Sequence, residues 1–236
     1  MICIDRDENA SFNFEHSDSI TSTVWHSDVS YELQPPGLTT FFLLSQPTTG
    51  GDTLFTSQVS TLRKLSPPFV AFLRTLKAVH SGVEQAEFSR SGKRGGVVRR
   101  DPVENIHPVI RKHPVTGVEA LYVNRQFTRK IVGLKREESR KSLFNILNSI
   151  FANRIPENIL NFLYDHIDKG KSYSLVFLPS LLSLPRVAAD LQARLKWQPG
   201  TVALWDNRIT AHSAIVDYGD SGERRHGLRV TPQAER

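Results

Sequence analysis

The chain has 236 residues, 39% of them hydrophobic and 23% charged, which are ordinary values for one soluble globular domain with a sizeable core. Thirty Lys and Arg against 24 Asp and Glu give a net charge of +6, and Cys3 is the single cysteine. One cysteine excludes an internal disulfide framework and any cysteine-rich zinc site, and its place near the start predicts a frayed end and no nucleophilic role.

The opening Met1-Ile-Cys-Ile-Asp5-Arg-Asp is too short and too soon charged for a signal peptide. From His26 to Thr56 the pattern is strand-like. Leu38-Thr-Thr-Phe-Phe-Leu-Leu44 is β-branched and aromatic, and turn residues bracket it at Pro35-Pro-Gly37 and Pro47-Thr-Thr-Gly-Gly51. Ser66-Pro-Pro-Phe69 predicts a helix running to about Val79, since proline is tolerated in a first turn. Residues 90–100 carry Arg90, Lys93, Arg94, Arg99 and Arg100 around three glycines and read as a solvated loop, with an anion-facing loop as the alternative. The segments 107–113 and 119–124 read as two strands around a Pro-Val-Thr-Gly turn, and 135–168 as mostly helical. The most apolar stretch, Tyr173 to Leu184, has about half the length a membrane span requires and is broken by Pro179. Thr201-Val-Ala-Leu-Trp205 predicts a buried strand, Asp206-Asn-Arg208 a turn and Leu228-Arg-Val-Thr231 a last short strand. Strands at both ends and helices between argue for a β-sandwich or barrel with helical decoration.

Two ligating side chains at i and i+2 on a strand share a face, so His-x-Asp is a natural half-site for a metal ion. With eight histidines the pattern arises readily by chance, and it occurs three times: His16/Asp18, His26/Asp28 and His166/Asp168. His166/Asp168 lies in a helical pattern, where i and i+2 diverge by roughly 200°. His16/Asp18 sits in a polar run without strand character. His26/Asp28 is flanked by Val24-Trp25 and Val29-Ser-Tyr31, and a strand there would aim both groups one way. It is the candidate pair. Composition alone does not choose the third ligand.

Trp25-His-Ser-Asp-Val29, Gly50-Gly-Asp-Thr-Leu54, His107 to Gly117, Tyr122-Val-Asn124, Trp205-Asp-Asn-Arg-Ile-Thr-Ala-His212 and Arg224-Arg225 together resemble the TauD/TfdA-type Fe(II)- and 2-oxoglutarate-dependent dioxygenases, above all the fungal sulfonate dioxygenases. The resemblance implies a mainly β fold with helical decoration around a double-stranded β-helix (jelly-roll) core. It implies an iron triad of His26, Asp28 and His212, with Thr53 and Arg225 on the distal carboxylate of the 2-oxoglutarate cosubstrate and Arg229 on an anionic group of the substrate. The physical chemistry of each residue type agrees. Two histidines and a carboxylate leave three positions open on Fe(II), and guanidinium takes a carboxylate in a planar, always-charged fork.

The function implied is oxidation of a small anionic substrate, an organosulfonate of the taurine kind, with dioxygen consumed and succinate and CO2 released. A secondary-metabolite hydroxylase of the same family and an inactive truncated remnant are the alternatives. The expected partners are that substrate and O2, with no nucleic acid and no membrane, and self-association is left open. A cytoplasmic enzyme is expected. The single domain over 1–236 reads as N-terminally short, with candidate insertions near 141–157 and 171–188.

Overall fold

The computed structural model describes residues 2–4, 25–91, 98, 101–139, 191–218 and 222–234. Short antiparallel strands dominate it. β1 (Ile2–Ile4), β2 (Leu38–Ser45), β10 (Val202–Asp206) and β12 (His226–Val230) form a four-stranded sheet in the order β1-β12-β2-β10. A second sheet has the order β11-β3-β9, built from β3 (Thr53–Ser57), β9 (Gln192–Leu195) and β11 (Thr210–Ala214).

Alternation decides which faces meet. On β2 the buried side chains are Thr39, Phe41 and Leu43, and Leu38 and Leu44 point outward. Phe41 packs edge-on against Trp197 at 5.1 Å, and Trp205 of β10 meets Phe55 of β3 at 5.3 Å. The inner faces of the two sheets thus pack together as a sandwich. The expectation of a buried β10 needs correction: Val202 and Leu204 are 60% and 62% exposed, so only the Ala203/Trp205 face is turned inward.

A second core lies between the helices α1 (Gln58–Arg63) and α2 (Pro67–Arg74) and the strands β4 (Lys77–Ser81), β5 (Glu104–Pro108), β6 (Ile110–Lys112), β7 (Glu119–Leu121) and β8 (Thr128–Ile131). It contains Leu62, Leu73, Ala78, Val109, Leu121 and Ile131, all buried. Ser57 caps α1 by accepting a hydrogen bond from Ser60 N at 3.2 Å, and Pro67 opens α2. α2 stops at Arg74, short of Val79, because Lys77–Ser81 pairs on both edges, with β5 and with β8. Tertiary pairing overrides the helical continuation there. A third helix, α3 (Val83–Arg90), follows β4. The β6–β7 hairpin and its turn fall where the sequence places them. Of the helical segment expected over 135–168, residues 136–139 are helical and 140–168 lie outside the described residues, as do both candidate insertions and most of the basic segment 92–100. The frayed end expected around Cys3 is instead strand β1, paired with β12. No helix among the described residues is long and apolar enough to cross a membrane.

Two buried histidines make this core sensitive to acid. His80 is fully buried, stacks on Tyr122 and meets His107 edge-on, with Ser30 Oγ 2.9 Å from its Nδ1. Burial, and then the neighbouring His107, push His80 down to about 3; burial pushes His107 down to about 4. Above about pH 6.5 both rings are neutral in the folded and unfolded chain, and their packing contributes in full. Below it the unfolded chain takes up protons that the folded one refuses, so stability is lost from about pH 6.5 down toward 4 and 3. Each histidine contributes at most about 1.4 kcal/mol per pH unit. Urea unfolding at pH 7.5 and pH 5.0 is expected to differ by on the order of 2 to 4 kcal/mol. An equal stability at both values would contradict the neutral buried pair.

Candidate metal and cosubstrate site

One β-bridge assembles the two candidate histidine ligands. His26 N donates to His212 O at 3.0 Å and His212 N to His26 O at 2.8 Å. Residues directly opposite in an antiparallel pair project to the same side, and the two rings lie 4.3 Å apart. The expectation of a regular strand through His26 and Asp28 is corrected here: the chain leaves the bridge after a single residue and enters a turn at Asp28. Val29 then takes a φ of 39°, the one positive value among the described non-glycine residues. Such a conformation is costly for a β-branched side chain and persists only where the surroundings enforce it.

Asn207 enforces it. Its Oδ1 accepts from Asp28 N at 2.7 Å and its Nδ2 donates to Asp28 O at 3.0 Å, with both residues buried. Asn207 sits in the turn after β10. The preceding Asp206 accepts hydrogen bonds from Arg208 and, at 2.8 Å, from His113 Nε2. His113 Nδ1 in turn accepts from Val115 N and Thr116 N, tying the β6–β7 hairpin into the same chain of contacts. The Trp-Asp-Asn-Arg and His-Pro-Val-Thr-Gly motifs therefore hold the Asp28 backbone in place.

Asn207→Ala would leave the Asp28 N–H buried and unpaired. The expected cost is about 1 to 3 kcal/mol for that group, with metal affinity falling by about 10- to 100-fold as an outer partner is lost. Calorimetry of Mn(II) binding checks it; an unchanged affinity would dismiss the clamp.

The donor atoms of His26, Asp28 and His212 all lie within 4.8 Å of one another. His26 Nε2 and His212 Nε2 approach Asp28 Oδ1 to 3.7 and 3.9 Å, too far for hydrogen bonds. His212 Nδ1 is buried without a hydrogen-bond partner. Two imidazoles and a carboxylate gathered this closely and not bonded to each other fit a shared divalent ion, and the set suits a non-haem iron.

The electrostatics agree. Burial pushes the Asp28 carboxyl upward, but Arg229, His212 and His26 together hold it below the usual carboxylate range. Burial pushes the His212 imidazole below its ordinary value although Asp28 pulls the other way, which favours the neutral form that ligates. Arg229 Nη1 donates directly to Asp28 Oδ1, so the residue expected at the substrate's anionic group stands at the edge of the triad.

Thr53 and Arg225 converge on a residue that sequence reasoning missed. Thr53, in β3, lies opposite Ala214, and its neighbour two positions on, Phe55, lies opposite His212. Thr53 and His212 therefore share a sheet face along a diagonal of about 7 Å. Thr53 Oγ1 accepts from Trp197 Nε1 at 2.9 Å. Arg225 lies just before β12; its Nε donates to Gly51 O at 2.9 Å, and its guanidinium sits 5.5 Å from the Phe41 ring and 5.8 Å from the Trp197 ring. Gly51 has a φ of 71°, which strains any residue with a side chain, and a Cβ there would crowd Arg225 Cδ at 3.1 Å, so glycine suits the place under the arginine. Lys196-Trp-Gln-Pro-Gly200 gives a turn signal and nothing that marks the indole. Asn207 is visible only as part of its motif.

Phe127 is 1% exposed and packs edge-on against His26 at 6.0 Å, and Trp25 packs against the helical core. The rival pairs His16/Asp18 and His166/Asp168 lie outside the described residues.

Comparisons with known proteins point to one family. The model of a family described as "Taurine catabolism dioxygenase TauD, TfdA family" matches residues 4–175 and 181–231. The chain is 44% identical over 219 residues to an alpha-ketoglutarate-dependent sulfonate dioxygenase of Saccharomyces cerevisiae, covering 93% of this chain and 44% of that protein. It is 38% identical over 213 residues to the alpha-ketoglutarate-dependent dioxygenase cnsP of Penicillium expansum, covering 90% and 48%. A crystal structure of a taurine dioxygenase from Burkholderia xenovorans superposes with a TM-score of 0.63 at 29% identity, over 90% of this chain and 57% of that one. The jelly-roll core is thus shared with solved relatives. The chain spans about half the length of the curated relatives it matches.

Proposed function

The chain belongs to the TauD/TfdA family of dioxygenases, and from that premise we propose that it is an Fe(II)- and 2-oxoglutarate-dependent dioxygenase acting on a small organosulfonate or similar anion. The observation that carries the proposal is the convergence of His26, Asp28 and His212 through one β-bridge and one clamped turn.

His26, Asp28 and His212 would hold the iron. Once bound, the iron supplies the coupling of 2-oxoglutarate decarboxylation, which gives succinate and CO2, to oxidation of the substrate by O2. The remaining roles belong to this chain. Arg225 and the Thr53 hydroxyl fix the far carboxylate of 2-oxoglutarate, and thereby the direction from which its 2-oxo acid end meets the triad. Arg229 stands beside Asp28, where it can orient an anionic substrate and exclude neutral ones. The burial of Asp28, Thr53, His212 and Arg225 keeps water from competing for these charges. The reading includes one domain over 1–236 in the cytoplasm.

Succinate formation from 2-oxoglutarate, measured with Fe(II) across sulfonates, sulfates and carboxylates, tests it. The expected result is turnover stimulated by a subset of the anions. Anaerobic titration with Fe(II) and 2-oxoglutarate separates an active site from an inactive remnant through a weak visible charge-transfer band. Absence of both the band and succinate would overturn the proposal.

A further inference from the structure

We infer that Trp197 is a positioning residue that sets the specificity for a 2-oxo acid with a second, distal carboxylate. The inference rests on the cosubstrate reading of Thr53 and Arg225 and deepens it. An indole N–H can only donate. By donating to Thr53 Oγ1 at 2.9 Å it occupies an acceptor position of the hydroxyl. The hydroxyl keeps its O–H and one lone pair, and an incoming group that uses the O–H must be an acceptor. A carboxylate oxygen meets that requirement.

The same indole contacts the second carboxylate-binding group. Its ring lies 5.8 Å from the Arg225 guanidinium, and Phe41, which packs edge-on against Trp197, lies 5.5 Å from it on its own account. Two aromatic faces and the Gly51 carbonyl thus limit how Arg225 can turn. Trp197 is itself held: it is 3% exposed, and the adjoining turn is closed by Thr201 N donating to Gln198 O at 2.9 Å, with Gly200 at a φ of 83°. Gly200 N and Leu43 N tie this turn to β2 through Leu43 O and Thr201 O. One rigid side chain therefore sets the hydrogen-bond polarity of Thr53 and the orientation of Arg225.

The test compares 2-oxoglutarate with 2-oxobutyrate, which has the same 2-oxo acid head and no distal carboxylate. Affinities are measured anaerobically by calorimetry on the Mn(II)-loaded full chain for the wild type, Trp197→Phe, Thr53→Val and the double variant. Phenylalanine keeps an aromatic ring and removes the donor. Trp197→Phe is expected to weaken 2-oxoglutarate by about 5- to 30-fold, the range of one hydrogen bond to a charged network, and to leave 2-oxobutyrate unchanged. Thr53→Val is expected to give a similar loss, and the double variant less than the product of the two. Equal losses for both acids, or an unchanged preference for 2-oxoglutarate in Trp197→Phe, would overturn the inference. A wild-type protein without that preference would overturn the cosubstrate reading and this inference with it.

Discussion

His26→Ala, Asp28→Ala and His212→Ala are each expected to abolish metal-dependent oxidation and to weaken Mn(II) binding by more than about 100-fold. Outer partners alone cost 10- to 100-fold, and these residues would supply the donor atoms themselves. The three losses differ in what they do to the fold. His212→Ala and His26→Ala remove imidazoles that make no hydrogen bond to Asp28, and the backbone bridge between them survives. Asp28→Ala leaves Arg229 beside a buried site without its carboxylate, and breaking such a pair costs about 3 to 5 kcal/mol. Thermal unfolding should therefore separate Asp28→Ala from the two histidine variants, while metal binding should not. His16→Ala and His166→Ala are the controls. Loss of metal in either would mean that the wrong His-x-Asp pair has been assigned.

Arg225→Gln and Arg229→Gln are expected to separate cosubstrate from substrate. Truncating one member of a buried, charge-assisted pair costs about 2 to 5 kcal/mol, which is roughly 30- to several-thousand-fold in affinity. Arg225→Gln should raise the 2-oxoglutarate requirement by that factor and change substrate affinity less. Arg229→Gln should weaken the anionic substrate, leave 2-oxoglutarate nearly unchanged and permit uncoupled succinate production. Its contact with Asp28 adds a second readout. Without Arg229 the buried carboxylate has lost its cation, so the metal-free variant should be destabilised and added Mn(II) should recover more stability than it does in the wild type. Normal sulfonate binding by Arg229→Gln would remove the sulfonate reading and leave the iron and 2-oxoglutarate reading standing.

Local chemistry made much of this protein legible in its amino-acid order. The alternation in Leu38–Leu44, the Pro-Val-Thr-Gly turn and the Ser-Pro-Pro helix start depend on residues close in the chain, and all three fall where expected. The candidate triad was singled out through motif resemblance, because its residues sit in short runs of fixed spacing, and the fold brings the three together. What depended on distant pairing was not. The helix after Ser66 ends five residues early, since β4 is claimed on both edges by β5 and β8. His26 and Asp28 share a direction without sharing a strand. A bridge to His212 sets the first and the Asn207 side chain sets the second, and both partners lie more than a hundred residues away in the sequence. Trp197 illustrates the same limit. Nothing in its local sequence marks it, and its donor meets Thr53 only because β9 is paired with β3 and the following turn is tied to β2. The residue types and their local spacing determined which chemistry this chain can hold. Which side chains orient that chemistry was decided by strand register, because only register brings a donor on one sheet to an acceptor on another.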